Sequence, residues 1–122
     1  MTTMGRLRLF LVLLIVDWTL GTPGVGLETR PSITNDLMGW VYTVAFLALI
    51  GALALTWFGK RYAASLAMAV GALAVVLAIL DAVGVTSGAP APAGMIAVDV
   101  FGVVIGAAIV WAASRAGRSS AV

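Results

Sequence analysis

Long apolar stretches separated by short polar ones set the pattern of this chain. Three stretches each reach the roughly 20 residues that an α-helix needs to cross the hydrocarbon of a bilayer, and they lie at residues 37–58, 62–83 and 95–114. A fourth and shorter stretch lies at residues 7–20. The pattern predicts an all-α membrane protein, a bundle of four transmembrane helices arranged as two antiparallel hairpins.

Composition supports a membrane protein over a soluble one. Of 122 residues, 62% are hydrophobic and 10% are charged, whereas a soluble domain is typically about 45–50% apolar and 25% charged. Nearly the whole chain is used by the four spans, an inner loop at 59–61 and outer loops at 21–36 and 84–94. We therefore expect a single transmembrane domain over residues 1–122 and no separate soluble domain.

The first stretch also resembles a secretory signal peptide in part. Arg6 and Arg8 precede an apolar core, and Thr19 with Gly21 forms a small-x-small pattern of the kind found at cleavage sites. The chain retains Met1, which favours an uncleaved first helix. This helix is bulky, rich in Leu, Val and Ile, and we expect it to lie at the periphery of the bundle.

Charge predicts the direction of the spans, because Lys and Arg close to a membrane stay on its cytoplasmic side. In a four-span arrangement all basic residues except Arg30 fall on one side, and every acidic residue falls on the other. Both termini are therefore predicted to be cytoplasmic. The cytoplasmic group is Arg6, Arg8, Lys60, Arg61, Arg115 and Arg118, and the acidic group is Asp17, Glu28, Asp36, Asp81 and Asp99.

The residues that the chain uses limit the chemistry it could perform and indicate the kind of organism and membrane it comes from. The chain has no cysteine and no histidine, so it lacks thiolate and imidazole metal ligands and the most common general base. We expect no cofactor and no resident metal, and this residue usage disfavours enzyme activity. High Ala, Gly, Val and Arg usage is typical of a bacterial protein, here of the cytoplasmic (inner) membrane. The basic residues flank apolar spans, which predicts contact with anionic lipid headgroups rather than with nucleic acid.

Small residues predict where helices pack, because in lipid close backbone approach replaces the hydrophobic effect as the source of helix association. The third span carries small residues at spacings of three or four, and the fourth carries a GxxxG pair on the same face as Asp99. The predicted packing residues are Ala63, Ala67, Gly71, Ala74, Ala78, Gly102 and Gly106. Through such faces the chain would join copies of itself or a larger membrane complex.

Asp17, Asp81 and Asp99 are the candidate proton or cation site. Each lies about one helical turn inside the predicted outer boundary. Acids in such a place share a proton, bind a cation or find a donor. Candidate partners are Arg30, Tyr42 and Thr43. The alternative is that all three are interfacial residues hydrated among the headgroups, with Asp17 reaching only the headgroups beside Trp18.

Three functions remain open. The first is an accessory or structural subunit that packs through its Ala and Gly faces, which needs no chemistry. The second is a small oligomeric proton- or cation-coupled transporter or channel that uses the outer aspartates. The third is a lipid-binding or lipid-modifying protein, in which paired aspartates hold a cation.

The second function has a partial resemblance behind it. In length and span number the chain resembles the small multidrug resistance transporters, whose first helix carries an acid in the membrane, as Asp17 does here. The sequence motif that surrounds that acid is missing, and Asp17 lies near the end of its helix. The strong charge bias also differs from the balanced charge of a dual-topology dimer.

Overall fold

The computed structural model describes residues 2–21, 36–85 and 90–121. These residues form four α-helices and, within the described ranges, no strand. The helices are α1 (Thr3–Leu20), α2 (Asp36–Phe58), α3 (Lys60–Ala82) and α4 (Ala93–Ala121). The prediction of an all-helical chain is confirmed. Arg30 and Glu28 lie outside the described residues.

Three of the helices are long and apolar enough to cross a membrane: Gly39–Phe58, Arg61–Ala82 and Ala93–Ala116. By their length and composition these helices are typical of a membrane protein. Helix α1 has 18 residues and carries Arg6, Arg8 and Asp17. The helix bounds differ slightly from those predicted, since α3 follows α2 after Gly59 alone and α4 continues beyond residue 114.

Local hydrogen bonds explain where α1 begins and where α3 ends. The Thr2 hydroxyl accepts a hydrogen bond from the Gly5 amide at 2.9 Å and so caps the start of α1. At the end of α3, the amide of Val85 donates to the Leu80 carbonyl and that of Gly84 to the Asp81 carbonyl. Gly84 has φ 93°, the left-handed conformation that this Schellman arrangement requires.

The helices form a closed bundle in which each one packs against its neighbours in the chain and α4 returns to pack against α1. The largest interface joins α3 and α4. There the backbones approach closely, because a Cβ atom on Gly71 would lie 2.7 Å from the Gly106 carbonyl oxygen, and one on Gly106 would lie 2.7 Å from that of Gly71. Only glycine on both helices permits this contact.

Helix α1 is not peripheral, which corrects the expectation drawn from its bulky residues. Leu7, Leu11 and Leu14 are fully buried in the main apolar core, and Asp17 follows on the same face. Their spacing of four, three and three residues keeps them on one side of the helix. The large leucines fill the space that the small residues of the neighbouring helices leave, so a bulky helix and small-residue helices complement each other.

Candidate functional site

Asp17 reaches the seam between α3 and α4 from the end of α1. Its side chain is 3% exposed. Its Oδ2 atom lies against Gly102 of α4. A Cβ atom added to Gly102 would lie 2.9 Å from this oxygen and 3.4 Å from the Cβ atom of Ala78 on α3. The expectation that Asp17 reaches only the headgroups is therefore wrong, because the face of α1 that carries it turns into the bundle.

Asp81 and Asp99 lie one helical turn from this contact. Asp81 follows Ala78 by three residues on α3, and Asp99 precedes Gly102 by three on α4. Both are buried, at 8% and 7% exposure. Because residues three apart share a helix face, Asp81 and Asp99 lie on the faces that carry Ala78 and Gly102, about one turn beyond the Asp17 contact. We call these three buried acids the acidic layer: Asp17, Asp81 and Asp99.

Apolar side chains enclose the acidic layer on both sides. Toward the end of the bundle where α4 begins lies a small cluster of Ala91, Met95 and Val98, with Gly21 placed next to Met95 and Val98. Toward the other end lies the main core of leucine, isoleucine, valine and alanine side chains. The buried acids of the layer are thus flanked by apolar clusters along the bundle axis.

Two carboxyl oxygens of the layer are enclosed by the bundle, one on Asp17 and one on Asp99. Oδ1 of Asp17 is enclosed, and among the described residues none donates a hydrogen bond to it. Oδ2 of Asp99 is enclosed as well. An ionised carboxylate in such a place is costly unless a proton, a cation or a donor neutralises it. The arrangement is therefore suited to binding a positive charge.

The structure describes two of the three expected polar partners, Tyr42 and Thr43. Thr43 is exposed and donates its hydroxyl to the Gly39 carbonyl at 2.8 Å, within its own helix. Tyr42 is half-buried on α2. Arg30 falls outside the described residues. Within the described residues no group of three or more acidic side chains is arranged to hold a metal ion.

Three arginines of the described residues lie at the opposite end of the bundle: Arg8, Arg61 and Arg115. Three guanidinium groups each lie over an aromatic ring: Arg8 over Trp57 at 4.5 Å, Arg61 over Tyr62 at 5.6 Å and Arg115 over Trp111 at 4.9 Å. Among the side chains that the structure describes, charge is thus divided along the bundle axis, with the three buried acids toward one end and these arginines at the other.

The predicted packing residues lie inside the bundle. Ala63, Ala67 and Ala74 are fully buried on α3, and Ala78, Gly71, Gly102 and Gly106 are buried with them. The faces that were expected to join other chains are therefore covered within this one.

Sequence reasoning missed Thr56 of α2, although a threonine in an otherwise apolar stretch was a signal that it has a polar partner.

The fold and the layer together define a class, a small helical membrane protein with acids buried in its bundle. Comparison with known proteins adds no family to this description: no family model, no curated protein and no solved structure matches the chain.

Proposed function

We propose that the chain is a proton-translocating protein of the bacterial cytoplasmic membrane, with four spans and both termini in the cytoplasm. The observation that carries this proposal is the Asp17 carboxyl group, which is 3% exposed and has one oxygen that no described residue bonds. A protein rarely keeps an acid in such surroundings without a use for its charge. The two other buried acids of the layer give the proton neighbours to move to.

We count helix α1 as the fourth span because its two ends lie near the end of α2 and the start of α4. Near its start Arg8 bonds Thr56, close to the end of α2. At its end Gly21 adjoins Met95, close to the start of α4. At about 1.5 Å per residue its 18 residues measure about 27 Å, close to the roughly 30 Å of hydrocarbon.

A proton suits the acidic layer better than a metal ion. No described group of acids is arranged to hold a metal, whereas a proton needs only one carboxyl oxygen at a time. The apolar core beyond the layer offers no continuous polar path, so passage to the cytoplasmic side requires the helices to move, as in a carrier.

Burial of the small-residue faces also lowers the case for an accessory subunit, since those faces were its proposed docking surface. We retain a homo-oligomer or larger membrane complex as the working unit, because four helices are few for a transport path within one chain. Its contacts would involve the outward faces of the bundle.

At the cytoplasmic end we propose contact with anionic lipid headgroups. Arg61 and Arg115 are exposed, and each lies over an aromatic side chain of the kind that prefers the membrane interface. A cation near the negative inner leaflet gains about 1 kcal/mol for each Lys or Arg. These contacts would hold the bundle in its predicted orientation.

Proton flux into liposomes tests the proposal. The purified full chain is reconstituted with a pH-sensitive dye inside, and a potassium diffusion potential drives proton entry. Wild type should acidify the interior faster than protein-free liposomes. Asp17→Asn, Asp81→Asn and Asp99→Asn should each lower the rate toward that background, because amides do not carry a transferable proton at neutral pH.

Asp36→Asn is the matched control, since it makes the same chemical change at the first residue of α2 and should keep the wild-type rate. The proposal is overturned if wild type does not exceed protein-free liposomes, or if the three layer variants conduct protons as wild type does.

A further inference from the structure

We propose that Gly102 is the positioning residue of the acidic layer, because its missing side chain provides the space that the Asp17 carboxyl group occupies. A Cβ atom on Gly102 would lie 2.9 Å from Oδ2 of Asp17. At that distance either the oxygen or the helix must shift, and we expect the carboxyl group to move because it is the end of a side chain and not backbone. This inference rests on the proposed function, to which it adds the residue that sets where Asp17 lies.

The glycines of the bundle differ in what fills the space beside them. At Gly71 and Gly106 the nearest atom to a built Cβ is a backbone oxygen of the opposing helix. At Gly21 and Gly51 the nearest atoms lie at ordinary contact distances of 3.6 and 3.7 Å. At Gly102 the nearest atom is a carboxyl oxygen from α1. Gly102 thus serves a side chain, whereas Gly71 and Gly106 serve helix packing.

Gly102 has no side chain, and Asp17 carries the shortest acidic side chain, so the two fit together in a small space. Ala78 borders the same space, since its Cβ atom lies 3.4 Å from the place that a Cβ atom on Gly102 would occupy. If the Asp17 carboxyl group is pushed out of this space, it leaves the seam between α3 and α4. It then also moves away from Asp81 and Asp99, which lie one turn along that seam. Because a carboxyl end moves more readily than backbone, alanine at residue 102 should displace Asp17 without unfolding the bundle.

The test measures the position of Asp17 and proton flux in the same variants. The full chain, labelled with ¹³C at the aspartate carboxyl carbons, is placed in lipid nanodiscs, and loss of a signal in Asp17→Asn assigns it to Asp17. The Asp17 signal should shift in Gly102→Ala and stay in place in Gly51→Ala. Flux should fall by roughly a hundredfold in Gly102→Ala, since misplacing a reacting group by about 1 Å costs on that order, and stay at the wild-type rate in Gly51→Ala.

An unmoved Asp17 signal in Gly102→Ala overturns the inference, and so does a moved signal with wild-type flux. If Gly102→Ala does not fold, Asp17→Ala/Gly102→Ala decides: recovery of folding supports the inference, because Oδ2 is gone, and continued failure overturns it, because Gly102 then serves α4 packing. A wild type without flux overturns the proposed function alone, since the carboxyl signals still decide whether Gly102 positions Asp17.

Discussion

Arg8 of α1 donates two hydrogen bonds to Thr56 of α2. Its Nε atom donates to the Thr56 hydroxyl at 3.0 Å and its Nη2 atom to the Thr56 carbonyl at 2.8 Å. The Thr56 side chain is fully buried, and its hydroxyl in turn donates to the Leu53 carbonyl. The guanidinium also lies over the Trp57 ring. One basic residue thus fastens the start of α1 to the end of α2.

Replacing Arg8 by alanine should therefore lower the free energy of unfolding. Hydrogen bonds from a charged donor contribute roughly 1.5–3 kcal/mol each, and the buried Thr56 carbonyl would also lose a donor. Arg8→Lys should restore only part of the loss, because an ammonium lacks the planar fork that reaches both oxygens. Equilibrium unfolding of the purified protein in mixed micelles measures the change.

Arg6→Ala is the matched control, since Arg6 is exposed on the same helix and its loss should change stability by no more than about 0.5 kcal/mol. Combining Arg8→Ala with Thr56→Val should cost less than the sum of the single changes. Equal losses in Arg6→Ala and Arg8→Ala, or strict additivity with Thr56→Val, would contradict the fastening role.

Gly71→Ala and Gly106→Ala should both destabilise the α3–α4 interface. Each added Cβ would lie 2.7 Å from a backbone oxygen of the other helix, and backbone cannot move aside as a side-chain end can. Forcing an extra carbon into a packed interior costs roughly 1–3 kcal/mol. The loss should appear in the same unfolding measurement and exceed that of Gly102→Ala.

Gly39→Ala and Gly51→Ala provide the comparison within α2. A Cβ atom on Gly39 has no neighbour within 4 Å, and one on Gly51 lies 3.7 Å from Leu66. Alanine is also the better helix former, so both variants should be as stable as wild type or slightly more stable. If Gly106→Ala behaves like these two, the helices are farther apart than described.

How much of this fold the sequence could predict depends on the physical signal behind each element. Hydropathy and length predict helices, because a spanning segment must satisfy its backbone hydrogen bonds internally, and three long apolar helices are confirmed. The peripheral position predicted for α1 is wrong, because small residues are not the only mark of a packed helix face. A face of leucines that fills a neighbour's small-residue groove packs equally well.

The layer was harder to predict than the helices. The depth of each acid along its helix follows from residue numbers, but the partner across the bundle depends on how the helices rotate about their axes. The spacing of Leu7, Leu11 and Leu14 did place Asp17 on their face, so its burial could have been inferred. The Arg8–Thr56 contact could not, since nothing local to Arg8 distinguishes it from Arg6.

The last prediction concerns the number of spans, for which α1 is the test. The chain contains no cysteine, so single cysteines at Thr2, Ser87 and Ser119 report topology without background. With four spans, an impermeant maleimide added outside intact bacterial cells with a permeabilised outer membrane should label Ser87→Cys alone, and all three after the cells are opened. With only α2, α3 and α4 crossing, Thr2→Cys would be labelled from outside as well, because residues before α2 would then lie on the outer side. That result would place Asp17 outside the membrane and remove the basis for proton translocation, whereas protection of Thr2→Cys would make α1 the span that brings Asp17 to Gly102.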